Sequence, residues 1–326
     1  MAFLAGGLLL LLLGALVALS VGTQAVSPAT LLTALTSPDT LEPSLRTILL
    51  DLRLPRVMLA VSVGGALASA GVIFQALLRN PLAEPYILGV SNGCAIGAIV
   101  GFLIGAGPLL QPMLAFAGGG LVVGAVLGIS RGRYGGRSEA MLLGGVMVGA
   151  MGAATIFLLL HFLGPQLRNA IQWMLGDLSS ATAGIGYSSI ALFVALLAAS
   201  LFTGDMLNAL ALGDEEAASL GINVSRARTI FYIAASFVVG IAVSFCGAIG
   251  FVGLVVPHII RRLFGADHRL VLPLSVAGGG FFLLLCDTLA RSLMPAIDST
   301  VSELPVGAIT ALVGAPLFIY LLRRAG

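Results

Sequence analysis

Few residues in this chain could do chemistry, and their spacing does not gather them. Histidines stand at His161, His258 and His268, and cysteines at Cys94, Cys246 and Cys286. Neither set has the spacing of a metal-ligand or disulfide motif, so no metal site and no cofactor is expected. The cysteines lie in or beside apolar runs and read as small buried hydrophobes. All sixteen basic side chains are arginine. A phosphate-binding G-x-x-x-x-G-K-[ST] loop needs a lysine, so ATP chemistry must come from another chain. No H-E-x-x-H occurs, and no paired aspartates stand out in the apolar runs, so an intramembrane enzyme is a weak rival.

Charged residues cluster in three places. Arg53, Arg56 and Arg291 flank apolar runs, and a planar guanidinium suits bidentate carboxylate recognition. Interfacial anchoring is the plainer role for Arg53 and Arg56, and a helix pair with Asp287 the plainer role for Arg291. Arg79-Asn80-Pro81-Leu82-Ala83-Glu84-Pro85-Tyr86 carries two prolines that force a stiff turn, with Asn80 and Ser91 as turn or capping residues. Asp214-Glu215-Glu216-Ala217-Ala218-Ser219-Leu220-Gly221 reads as a short helix. Asp214 is placed to cap it, the glutamates suit its positive end, Gly221 ends it, and Ala217, Ala218 and Leu220 give it an apolar side.

The elements that must position these residues are transmembrane helices. Of 326 residues 59% are hydrophobic and 9% charged, with mean hydropathy +1.10. A soluble domain has about 25% charged residues. Lipid must therefore be the solvent, and the net charge of +2 is too small to suggest nucleic acid. Apolar runs predict about ten spans in one permease domain covering 1–326: 3–20, 57–78, 93–110, 112–130, 140–163, 186–203, 229–246, 249–264, 271–292 and 304–322. The first is read as a retained span, because it lacks a basic leader region. The eighth is short and adjoins the seventh across Gly247, where the chain is expected to tilt or break.

Ten spans put eleven arginines on one side (Arg79, Arg131, Arg133, Arg137, Arg226, Arg228, Arg261, Arg262, Arg269, Arg323 and Arg324) and five on the other. The positive-inside rule makes the first side cytoplasmic, with both termini there. One span more or fewer would scramble this separation. Val63–Pro81 and Val239–Pro257 share seven residues at matching positions, an expected inverted repeat of the kind transporters use. An ion-coupled secondary transporter is the main alternative, but it needs ionisable groups at mid-membrane, and the centres of spans 2 to 10 hold almost none.

Four segments carry a resemblance. LRLPR at Leu52–Arg56, QALLRNPLAEPYILGVSNG at Gln75–Gly93, GAIGFVGLVVPHIIRR at Gly247–Arg262 and ELPVGAITALVGAPLFIYLLRR at Glu303–Arg324 resemble, in order, the FecCD family of ABC importer permeases for siderophores, haem and vitamin B12. The resemblance implies an all-α subunit of ten helices in a bacterial or archaeal cytoplasmic membrane. It implies a homodimer, two ATPase subunits inside, a substrate-binding protein outside and a metal chelate as cargo. The chain itself would be no enzyme. By the same resemblance residues 207–224 dock the ATPase, Arg53, Arg56 and Arg291 meet the binding protein, and Asn80, Pro81 and Leu82 with Ser138 and Glu139 close the cytoplasmic end. Glu139 is more charged than that loop would be expected to be. His161, Met151, Tyr187, Gln75, Gln172 and Trp173 are candidate pathway residues.

Overall fold

The computed structural model describes residues 2–22, 26–86, 88–130, 138–297 and 303–323. Arg131, Arg133, Arg137 and Arg324 lie outside the described residues, as do the side chains of Ser138 and Glu139, whose backbone opens a helix.

Each expected span has its helix: α1 (Ala2–Ser20), α4 (Leu54–Leu78), α5 (Val90–Leu103), α6 (Leu110–Ser130), α7 (Ser138–Leu160), α9 (Ala183–Leu212), α11 (Val224–Cys246), α12 (Val252–Phe264), α13 (His268–Ile297) and α14 (Val306–Arg323). Seven spans are long and apolar enough to cross a bilayer; α5, α12 and α14 are too short or too charged to qualify by themselves. The count of ten is thus approximate as a count of full crossings.

Short elements complete the order. They are α2 (Pro28–Thr36), α3 (Pro43–Arg46), α8 (Leu167–Met174) and α10 (Asp214–Ser219). A π-helical stretch, Thr47–Arg53, joins α3 to α4 in one rod from Pro43 to Leu78. Apolar periodicity did not signal α2, the π stretch or α8.

α4 is the enclosed centre of the bundle, packed on α9, α11, α12 and α13. Glycine sets how close its neighbours come. A Cβ on Gly64 would stand 2.2 Å from the Gly279 carbonyl oxygen, and one on Gly71 would stand 2.0 Å from that of Gly253. Without lipid-excluded hydrophobic force between helices, this close packing supplies the attraction. α1, α7 and α9 instead leave large apolar side chains such as Leu12, Phe157 and Phe202 exposed, as lipid-facing helices do. Buried hydroxyls turn back on their own helix: Ser62 donates to the Met58 carbonyl and Ser244 to that of Ile241. The three cysteines are free and buried.

The expected break is present. α11 stops at Cys246 and α12 starts at Val252, with Gly247 at φ +68 between them. The two copies of the suspected repeat therefore differ locally, since Val63–Leu78 is continuous helix.

Candidate functional site

Polar side chains gather at the two ends of the bundle and at the α11–α12 break. Arg79 and Arg228, from the arginine-rich side of the count, share Asp214, and Arg56 and Arg291, from the other side, share Asp287.

At the arginine-poor end the cluster holds Arg53, Arg56, Asp287, Arg291 and Glu303. Arg56 donates to both Asp287 carboxylate oxygens, at 2.8–3.2 Å, and to Glu303 Oε2. Arg291 pairs with Asp287 at 3.2 Å, one helical turn away. Asp287 is fully buried, and such a charge is tolerable only with partners. Arg53 and Arg291 also donate to the carbonyls of Leu19 and Ala18, at 2.8 and 2.9 Å. Those are last-turn carbonyls of α1, which have no partner within their own helix. The arginines thus fasten α1 to α4 and α13. All three are buried, so they are not protruding knobs. They line a recessed pocket of about 340 Å³ shared with Gly22, Leu52 and Glu303. Sequence spacing showed the Arg291–Asp287 pair but not Arg56–Asp287, which spans 231 residues.

At the arginine-rich end α10 follows Gly213, which occupies the N-cap position with no side-chain cap. Asp214 does not cap the helix as expected, because its carboxylate is held by arginines. Arg228 Nη2 reaches Oδ1 at 2.7 Å and Nη1 reaches Oδ2 at 3.0 Å, from a side chain that is 1% exposed. Arg79 Nη2 stands 3.5 Å from Oδ1. Glu215, Glu216, Ala218 and Gly221 are exposed, and so is Leu220, at 65%. Ala217 turns inward and is fully buried, so it belongs to the core and not to an outward apolar side. Gly221 follows the helix at φ +80, where glycine is the unstrained residue. Nearby, Asp267 accepts from Asn208 Nδ2 and the Arg269 N–H, and these bonds hold its carboxyl below the usual range.

The turn after α4 connects these parts. Arg79 ends α4 in the left-handed region, at φ 48 and ψ 37. Asn80 Oδ1 accepts from the Leu82 N–H at 2.9 Å, and Leu82 is exposed. Ser91 is not a cap. Gly89, at φ 78, takes that position, and the buried Ser91 hydroxyl has no partner among the described residues. Gly89–Gly93 spells G-x-S-x-G, the pattern of a hydrolase nucleophile elbow. Among the described residues no strand leads into it and the Ser91 hydroxyl has no partner, so the motif's geometry is not present there.

At the break, Pro257 cannot donate to the Gly253 carbonyl four residues back. Gln75 Nε2 donates to that carbonyl instead, at 3.1 Å, and Gln75 Oε1 accepts from Arg261 Nη1. Gln75 is therefore a buried structural bridge. The Cys246 carbonyl accepts from the Asp177 N–H at 2.8 Å, and the Phe251 N–H donates to Glu84 Oε1. Burial pushes the Glu84 carboxyl up while that bond pulls it down.

Met151, His161 and Tyr187 are exposed, Gln172 is exposed beside a second pocket with Glu303, and Trp173 is half-buried. His258 stacks edge-on with Phe318, and His268 is buried against Asn208. Among the described residues no three histidine, cysteine or acidic side chains form a metal-holding group.

Comparison with known proteins places this arrangement. Residues 9–324 match the FecCD transport family. The cobalamin import system permease protein BtuC of Halobacterium salinarum is 40% identical over 88% of this chain and 75% of its own length. The hemin transport system permease protein HmuU of Yersinia pestis is 38% identical over 85% and 83%. A metal-chelate type ABC transporter solved in an inward-facing conformation superposes with a TM-score of 0.86 at 28% identity, covering 99% of both chains. By sequence and by fold, the chain belongs to the FecCD transport family.

Proposed function

We propose that this chain is the permease subunit of an ATP-driven importer for an iron chelate or cobalamin. Two copies form the pathway in a cytoplasmic membrane with both termini inside, two separate ATPase subunits seat on the inner face, and a binding protein delivers cargo outside. The carrying observation is α10. It is a short acidic-headed helix at the arginine-rich end, fastened from behind through Asp214 to the buried Arg228, with Leu220 bare on its outer side. A helix that is rigidly held yet leaves a large apolar side chain in the open suits a groove on a partner. The names of the similar proteins support the cargo class.

Arg53, Arg56 and Arg291 serve the binding protein in this reading as a recessed socket. All three line the pocket beside Glu303, and a guanidinium there suits an acidic side chain of a partner. Asn80, Pro81 and Leu82, with Ser138 and Glu139, form the inner closure.

The reading is tested by ATP hydrolysis. We expect none from the purified chain, and activity once a separate nucleotide-binding subunit is added. Sustained hydrolysis by this chain alone would contradict it.

A further inference from the structure

We propose that the turn from Arg79 to Glu84 is a transmission strap, carrying displacement of α10 to the break between α11 and α12. This rests on the reading of α10 as the helix seated on the ATPase. Arg79 and Glu84 are positioning residues at the ends of the strap.

Four observations converge. First, the strap is tied at both ends. Arg79 reaches Asp214 on α10, and the same guanidinium lies beside Gly213, the residue before that helix. Glu84 accepts from the Phe251 N–H, the entry residue of α12. The contacts cross 135 and 167 residues of sequence, so they join separate parts of the bundle.

Second, the two attachment points share an unusual backbone. Arg79, at φ 48, and Phe251, at φ 68, are the non-glycine residues with positive φ among the described residues. Neither type is suited to that region, and strained residues persist where surrounding contacts over-determine them.

Third, the segment between them is stiff. Pro81 and Pro85 fix their own φ, and the Asn80–Leu82 bond closes the turn. Pro85 also lies against the first turn of α12, where a Cβ on Gly253 would be 3.2 Å from its Cδ. A stiff link passes on displacement that a loose loop would absorb.

Fourth, the two arginines on Asp214 differ. Arg228 is buried and close, at 2.7 Å. Arg79 is 3.5 Å away, with both side chains more than 40% exposed. The first contact fixes α10 to α11. The second ties that unit to the strap.

The test uses the permease reconstituted with its ATPase and binding protein, reading cargo uptake per ATP hydrolysed. Arg79→Asn is the main variant, because asparagine tolerates the left-handed region and the backbone is kept. We expect normal assembly, hydrolysis within about twofold of wild type, and uptake per ATP lowered at least about fivefold. Arg79→Lys, still able to pair with Asp214, should recover part of the loss. Adding Arg79→Asn to Asp214→Asn should lower the ratio no further than Asp214→Asn alone. Unchanged uptake per ATP in Arg79→Asn overturns the strap. Failure of that variant to assemble overturns it too, since Arg79 would then serve folding and not transmission. Leu220→Asp separates the two readings. If it leaves the ATPase bound, the docking assignment fails independently. If it releases the ATPase while Arg79→Asn keeps full uptake per ATP, only the strap is wrong.

Discussion

Replacing Arg56 with alanine is expected to destabilise the detergent-solubilised protein by about 3 kcal/mol, the low end for breaking a buried ion pair. The reason is Asp287, which has no solvent exposure and takes its main bonds from Arg56. Arg291 remains as a partner at 3.2 Å, which limits the loss. Asp287→Asn in the same chain should restore part of it, because the uncompensated charge is gone. The Arg46–Asp39 pair is the control. Its distance is the same 2.8 Å, but its side chains are 49% and 86% exposed. Arg46→Ala should cost no more than about 0.5 kcal/mol. Thermal unfolding of the three variants decides the matter, and an Arg56→Ala protein as stable as Arg46→Ala would show that the cluster is not holding α1, α4 and α13 together. Reversing Arg56 to glutamate is consequently a poor probe of partner docking, since it would test the fold first.

The second large effect is expected at Leu220. Its side chain is 65% exposed, so Leu220→Asp leaves the permease core untouched. In the assembled importer the aspartate would be buried against the ATPase without a partner, at a cost of a few kcal/mol. That corresponds to association weakened by about a hundredfold or more. Affinity capture of the ATPase on tagged permease should therefore fail, while the variant inserts and runs as the same oligomer as wild type. Capture at wild-type yield would remove α10 from the interface.

What could be read from the sequence follows from the range of each signal. Length of apolar run is a local count, and it located the long helices among the described residues. The α11–α12 break was legible because Gly247 and Gly250 interrupt two adjoining runs. Pro257 removes the helical partner of the Gly253 carbonyl, and nothing in the sequence pointed to Gln75, 178 residues earlier, as its replacement. Asp214 was read as a cap because that is what an aspartate before a short helix usually does. Arg228, fourteen residues on, and Arg79 on another helix took its carboxylate instead. Arg56 looked free for the same reason, since its carboxylate partners lie over two hundred residues away. The resemblance to the FecCD family supplied roles for residues whose pairing no spacing rule could give.

The most direct test of the account is cargo uptake into proteoliposomes containing this permease and its ATPase, with loaded binding protein on the outer face. Uptake should require both internal ATP and the binding protein, and should persist when ionophores collapse proton and sodium gradients. Uptake driven by an ion gradient without ATP would contradict it, and would make the chain a secondary transporter.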